Sequence, residues 1–156
     1  MPDPDPQDYA HLLNSAADGW MAAMGVRLIS ATRDEVVAEL DVGPAHLQAY
    51  GIVHGGVHAG LIETLASIGA ALDALPRGMS VVGLENHTSF LRAVRSGTLR
   101  ATAKPITRGR RTHVWEASVV DDQGKLAASG RVRLLVLEPD AQVAGEAVAV
   151  KSAAGG

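Results

Sequence analysis

The amino-acid sequence predicts an α+β domain in which one long helix lies against an antiparallel sheet. Residues 56–75 place Val57, Leu61, Leu65, Ile68, Leu72 and Leu75 at helical spacing, and Pro76 then closes the run. Beyond Pro76 the pattern changes and stays changed, with strand-like runs at 79–92, 98–105, 112–120 and 126–137. The turns between them, Arg95-Ser-Gly97, Arg108-Gly-Arg110 and Asp121-Asp-Gln-Gly124, all carry hairpin chemistry. Consecutive strands on short turns predict a four-strand antiparallel meander, and a single apolar helix buries its stripe only by packing on that sheet.

Taken in order, residues 1–7 have proline at every second position and are expected to be a disordered tail. Residues 9–24 read as a helix with Leu12, Leu13, Ala16, Trp20 and Met24 near one stripe. Residues 35–42 alternate Val36, Ala38, Leu40 and Val42 with Val37, Glu39 and Asp41, a strand with one dry face that Gly43-Pro44 stops. Residues 139–156, rich in Ala, Gly and Val, are expected to be a flexible tail. The folded unit is then one domain over 8–138, with no internal repeat.

Composition excludes several classes. Of 156 residues 47% are apolar and 20% charged, enough for a core and too few charges for a disordered chain. Aromatics are 3%, little material for a base-stacking surface, and the net charge of −3 gives no general attraction to nucleic acid or anionic membrane. The chain lacks cysteine, which removes disulfides, thiolate metal sites and a cysteine nucleophile. The acidic, proline-rich start is unlike a secretory signal, and the expected setting is cytoplasmic.

The chemistry-bearing segment runs from Gln48 to Ser67. Gly55 and Gly56 sit where the long helix begins, where backbone N–H groups lack partners and the helix end carries partial positive charge. Glycine there either admits an oxyanion to the backbone or simply makes a tight turn. Glu63 lies away from the apolar stripe, among the small residues Ala59, Ala66, Ser67 and Ala70, and no Lys or Arg occurs between Arg33 and Arg77. It is either a solvated carboxylate or a general base held at a cleft. His54 and His58 are four apart, but no third ligand at familiar spacing completes a metal set, and none is expected. His54 is read as orienting the backbone at the glycines and His58 as a structural histidine. A second signal is charge: residues 92–133 hold ten basic and three acidic side chains, a balance of +7. Within it, Arg108-Gly-Arg-Arg111 is either a compact anion site or a solvated sheet edge.

The run Tyr50-Gly-Ile-Val-His-Gly-Gly56, with Glu63 seven residues on, resembles the acyl-CoA thioesterases of the hotdog fold, PaaI-like in type. It is most similar to the branch with 4-hydroxybenzoyl-CoA and 1,4-dihydroxy-2-naphthoyl-CoA thioesterases. Asn86-His-Thr-Ser-Phe-Leu-Arg92, Gly109-Arg-Arg111 and Asp122-Gln-Gly-Lys-Leu-Ala-Ala-Ser129 are also similar, so the likeness covers about 20–138. The resemblance implies a helix wrapped by an antiparallel sheet, paired subunits that commonly assemble as four, and active sites at the subunit interface. It puts the catalytic acid on Glu63, the oxyanion donor on the N–H of Gly55, and supporting polar groups on Gln48, His54 and Ser67. CoA phosphates would meet Arg92, Gly109, Arg110 and Arg111. Residues 85–91 would border the acyl group. No cofactor is implied, since CoA belongs to the substrate. An aromatic acyl-CoA is the expected substrate. A medium-chain ester, a hydratase on the same fold and a CoA-ester-binding domain without turnover are the alternatives.

Overall fold

The computed structural model describes residues 7–149. The expected first helix is two: α1 (Ala10–Ser15) and α2 (Gly19–Met24). Asp18 is fully extended and Gly19 takes a left-handed φ of 53°, which breaks the run. Strands β1 (Arg27–Ala31) and β2 (Val36–Asp41) follow, then the central helix α3 (Gly55–Ala74). After it come β3 (Ser80–Phe90), β4 (Thr98–Arg108), β5 (Thr112–Val120) and β6 (Leu126–Leu137). Residues 142–147, inside the stretch expected as a tail, form an exposed hairpin of β7 (Gln142–Val143) and β8 (Glu146–Ala147). The remaining tail positions, 1–6 and 150–156, lie outside the described residues.

The six long strands make one antiparallel sheet in the order β1-β2-β4-β5-β6-β3. This corrects the expected four-strand meander: β4, β5 and β6 are a meander, but β3 pairs with β6 and lies at the far edge. Arg95-Ser-Gly97 is therefore no hairpin turn. Residues 91–97 carry the chain from β3 across to β4, and on the way Val94 accepts a hydrogen bond from Val53 N–H at 2.7 Å. That crossing brings Arg92 and Arg95 beside the start of α3.

The sheet wraps α3 with its inner face: Leu99, Ala101 and Ala103 from β4, Trp115 and Val119 from β5, Val132 and Leu134 from β6, all buried. The buried side of α3 is Val57, His58, Leu61, Ile62, Leu65, Ala66, Gly69, Ala70 and Ala74. Ala66 and Ala70 thus belong to the core rather than to the face of Glu63, and Leu75, expected in the stripe, is exposed. The large side chain comes from the sheet instead: the Trp115 ring fills the space over Gly69, where a Cβ would overlap it. Likewise the ring of Trp20 lies on Gly60, which seats α2 against the first turns of α3. Helix α3 with its continuation to Arg77 is long and apolar enough to cross a membrane by composition, but its apolar stripe is consumed by the sheet.

At the far end of α3, His113 of β5 is fully buried with no hydrogen bond to either ring nitrogen, and Asp73 lies 3.7 Å from Nε2. Burial lowers the proton affinity of His113 below the ordinary histidine value, outweighing the nearby Asp73 carboxylate; burial does the same to His58. The sign follows from linkage. The unfolded chain takes up these protons near pH 6.5 while the folded one resists, so stability is complete above about pH 6.5 and falls as pH drops below it. Urea unfolding at pH 7.5 and 5.5 is expected to show a lower midpoint at pH 5.5, with a smaller drop in His113→Leu. An equal drop in both proteins would contradict this account.

Candidate active site

Helix α3 starts with His54 as its N-cap, in extended conformation. The His54 Nδ1 accepts the N–H of Gly56 at 2.8 Å, and its carbonyl accepts the N–H of Val57 at 2.9 Å. Two of the four end donors are thereby used locally, and among the described residues the N–H of Gly55 has no partner. The cap is anchored from behind. His54 N–H donates to the carbonyl of His46 at 2.8 Å. His46 is itself pinned, its Nδ1 accepting from Gly43 N–H and its Nε2 bonded to the Met24 carbonyl, both at 2.8 Å. Before the helix, the loop 47–53 closes on a Leu47–Val53 bridge, with Gly51 at φ 68°. The Gln48 Oε1 accepts from Tyr50 N–H, and Arg95 donates to the carbonyls of Tyr50 and Gly51.

A cavity of about 650 Å³ opens at this helix start, lined by Gln48, His54, Gly55, His58, Phe90 and Arg92 among others. The Phe90 ring lies so close over Gly55 that a Cβ there would sit 2.8 Å from it. His58 is not simply a core histidine: it borders this cavity, with Nδ1 sealed and without a partner. Phe90 falls in the stretch 85–91 expected to border the acyl group, whereas the position of His58 at the cavity is one that its reading as a structural histidine missed and that only the fold reveals.

Glu63 is half-buried and sits over β3. Asn86 Nδ2 donates to its Oε2 at 3.2 Å, and its other oxygen rests against Gly83. Ser67 is one turn further along α3 and half-buried, and its hydroxyl has no hydrogen-bond partner among the described residues. Glu63 and Gly55 are eight residues apart on one helix, about 12 Å along the axis. Glu63 does not line the cavity at Gly55. The predicted site residues therefore fall in two groups within one chain: Gln48, His54, Gly55 and Arg92 at the helix start, and Glu63 with Ser67 further along.

The expected CoA-phosphate set is divided too. Arg92 lies at the start of α3, whereas Gly109, Arg110 and Arg111 form the β4–β5 turn near its other end, where Arg108 reaches within 3.8 Å of Asp73. Gly55 and Asp73 are about 27 Å apart along the axis, so one chain does not gather these groups around one ligand. Much of the basic stretch is also neutralised. Arg100 pairs with Glu39, Lys104 with Glu35, Arg108 with Asp34 and Arg133 with Glu85, at 2.7–3.2 Å. Among the described residues, Arg92, Arg110 and Arg111 have no ion pair.

Comparison with known proteins identifies the family. The family model described as Thioesterase superfamily matches residues 50–128. The chain belongs to that superfamily, and it is a thioester hydrolase of the hotdog fold. It is 42% identical over 117 residues to a Mycobacterium tuberculosis protein named "Putative esterase Rv1847", covering 74% of this chain and 84% of that one. It is 35% identical to the 1,4-dihydroxy-2-naphthoyl-CoA hydrolase of Listeria monocytogenes, over 76% of this chain and 95% of that protein. The crystal structure of thioesterase HI1161 from Haemophilus influenzae superposes with a TM-score of 0.78 at 32% identity, covering 83% of this chain and 91% of that one.

The cap makes a direct prediction. His54→Ala removes the acceptor for Gly56 N–H and should cost about 0.5–2 kcal/mol of stability, whereas His54→Asn keeps a capping acceptor and should lose less. Thermal unfolding of the two variants checks this. Equal losses would show that the His54 ring does not hold the helix start.

Proposed function

We propose that the protein hydrolyses an aromatic acyl-CoA to the free acid and CoA, at sites each completed by two copies of the chain. The observation that carries this is the unpartnered N–H of Gly55, at the positive end of a 20-residue helix and open to a cavity. A thioester carbonyl oxygen directed there receives a hydrogen bond that strengthens as the carbonyl carbon becomes tetrahedral. Such a donor contributes about a hundredfold to a thousandfold in rate.

Glu63 supplies the second half of the reaction from the neighbouring copy. The support for this is the free edge of β3, 11 residues long and carrying the exposed Leu84. An unpaired edge of that length is a template for another strand. Antiparallel pairing of β3 with β3 of a second copy, about a two-fold axis, sets the two α3 helices side by side and antiparallel. Glu63, seated directly over β3, then lies beside the seam and faces the partner's helix start. As a general base, Glu63 takes a proton from water as the oxygen adds to the carbonyl carbon. The tetrahedral species then expels the CoA thiolate, and the proton passes from Glu63 to sulfur. As a nucleophile, Glu63 adds to the carbonyl carbon and the C–S bond breaks, giving a mixed anhydride and the CoA thiolate; water then opens the anhydride, which frees the acid, restores the Glu63 carboxylate and supplies the proton that the thiolate takes up. Gln48, His54 and Ser67 support the carbonyl and the water, and Arg92 meets the phosphates of CoA.

The aromatic acyl group is favoured by the relatives, two of which are named for a dihydroxynaphthoyl ester. A medium-chain ester is the second reading. The test is thiol release from 4-hydroxybenzoyl-, dihydroxynaphthoyl-, phenylacetyl- and linear acyl-CoA by wild type and Glu63→Ala. Wild type should turn over an aromatic ester best, and Glu63→Ala should lose turnover while still binding it. An active Glu63→Ala variant would contradict the mechanism; turnover of linear esters alone would contradict the substrate class.

A further inference from the structure

Strand β3 carries a bulge between Gly83 and Glu85. Before it, Gly83 stands opposite the inward-facing Leu134; after it, Glu85 stands opposite the outward-facing Arg133. The extra residue flips the alternation. Without it, Glu85 would point beneath Glu63 and Asn86 would point away. With it, Glu85 faces outward and pairs with Arg133 at 3.2 Å, while Asn86 and Thr88 face α3.

The Asn86 amide is then fully used. Its Nδ2 donates to the Ala59 carbonyl at 2.9 Å and to Glu63 Oε2 at 3.2 Å, and its Oδ1 accepts from Thr88 Oγ1 at 2.6 Å. The Ala59 carbonyl and the Glu63 carboxylate, which only accept, fix which end of the amide is nitrogen, and the Thr88 hydroxyl then donates to the oxygen. Ala59 is also the residue whose carbonyl takes the helical N–H of Glu63, four residues on. One amide thus measures both the helical turn and the carboxylate that leaves it. On the other side Gly83 provides room, since any Cβ there would overlap Glu63 Oε1.

We propose that Asn86, oriented by Thr88 and given space by Gly83, is the positioning residue that aims the Glu63 carboxylate. This rests on the reading of Glu63 as the reacting group in the preceding subsection. The Asn86 side chain bonds to Glu63, Ala59 and Thr88, so the part of its effect that passes through Glu63 belongs in kcat more than in KM. Gly83 acts by absence: the overlapping atom is the end of a flexible side chain, so Gly83→Ala displaces the carboxylate without disturbing the core.

The experiment measures kcat, KM, melting temperature and oligomer size on the best ester for wild type, Glu63→Ala, Asn86→Ala, Gly83→Ala, Thr88→Val and Thr88→Ser. Asn86→Ala and Gly83→Ala should lower kcat by about tenfold to a hundredfold, with KM within about twofold and unchanged assembly. Thr88→Val should lower kcat by less, and Thr88→Ser, which keeps the hydroxyl, should restore it. Asn86→Ala combined with Thr88→Val should be no worse than Asn86→Ala alone, because Thr88 acts through Asn86. The proposal is overturned if Asn86→Ala and Gly83→Ala keep wild-type kcat while Glu63→Ala is inactive, or if their losses follow melting or dissociation. If Glu63→Ala itself stays active, the reading of Glu63 fails and this one with it.

Discussion

Helix α3 is a rigid ruler, and the rest of the site depends on the distance it imposes. Gly55 and Glu63 are fixed on it about 12 Å apart, and the hydrogen bonds that hold the helix keep that distance constant. In the proposed reaction a thioester carbonyl is polarised at one atom and attacked at the adjacent one, a span too short for these two residues of one helix to share. The fold provides a way out at its edge. Strand β3 is long, unpaired on one side, and lies directly beneath Glu63. In the proposed pairing, a second copy added there would place a fresh helix start beside each Glu63.

Close approach between α3 and its surroundings is achieved with small residues. Gly60 receives the ring of Trp20, Gly69 that of Trp115, and Gly55 that of Phe90. Each contact fixes something different. Trp115 holds α3 to the middle of the sheet, Trp20 holds α2 to the helix, and Phe90 covers the Cα of Gly55 at the helix start. The long crossing from β3 to β4 adds the last piece, because it runs past the helix start and brings Arg92 with it.

The central helix, β2 and the four long strands after Pro76 were legible in the sequence, whereas the break at Gly19, β1 and the hairpin at 142–147 were not. The period of α3 and the alternation after Pro76 gave helix and strand positions within a few residues, because one-sided burial writes itself into the pattern. The Gly55-Gly56 pair marked the helix start for the same local reason. Strand order was not legible: alternation says that 79–92 is a strand but not which strand it joins, and Arg95-Ser-Gly97 suits a crossing as well as a turn. The bulge at Gly83 was hidden too, since one extra residue leaves alternation on either side intact. With it was hidden the inward position of Asn86, Thr88 and Phe90. Charge misled in a related way. The excess of Arg and Lys over 92–133 is real, but Glu39 of β2 and Asp34 and Glu35 of the turn before it come from far back in the chain to meet it. Sequence order keeps such partners apart, and only sheet pairing joins them.

The division of the site between copies is tested most directly by mixing two inactive variants. Glu63→Ala removes the carboxylate, and Gly55→Pro removes the N–H donor at the first helical position, where the backbone accepts proline; Phe90→Ala in that same chain clears the ring that the new Cβ would meet. Each alone should be inactive. Unfolding and refolding an equal mixture makes half of the dimers mixed, each with one intact site, so activity should return to about a quarter of wild type. Continued inactivity of mixed dimers shown to form would contradict a site shared between chains.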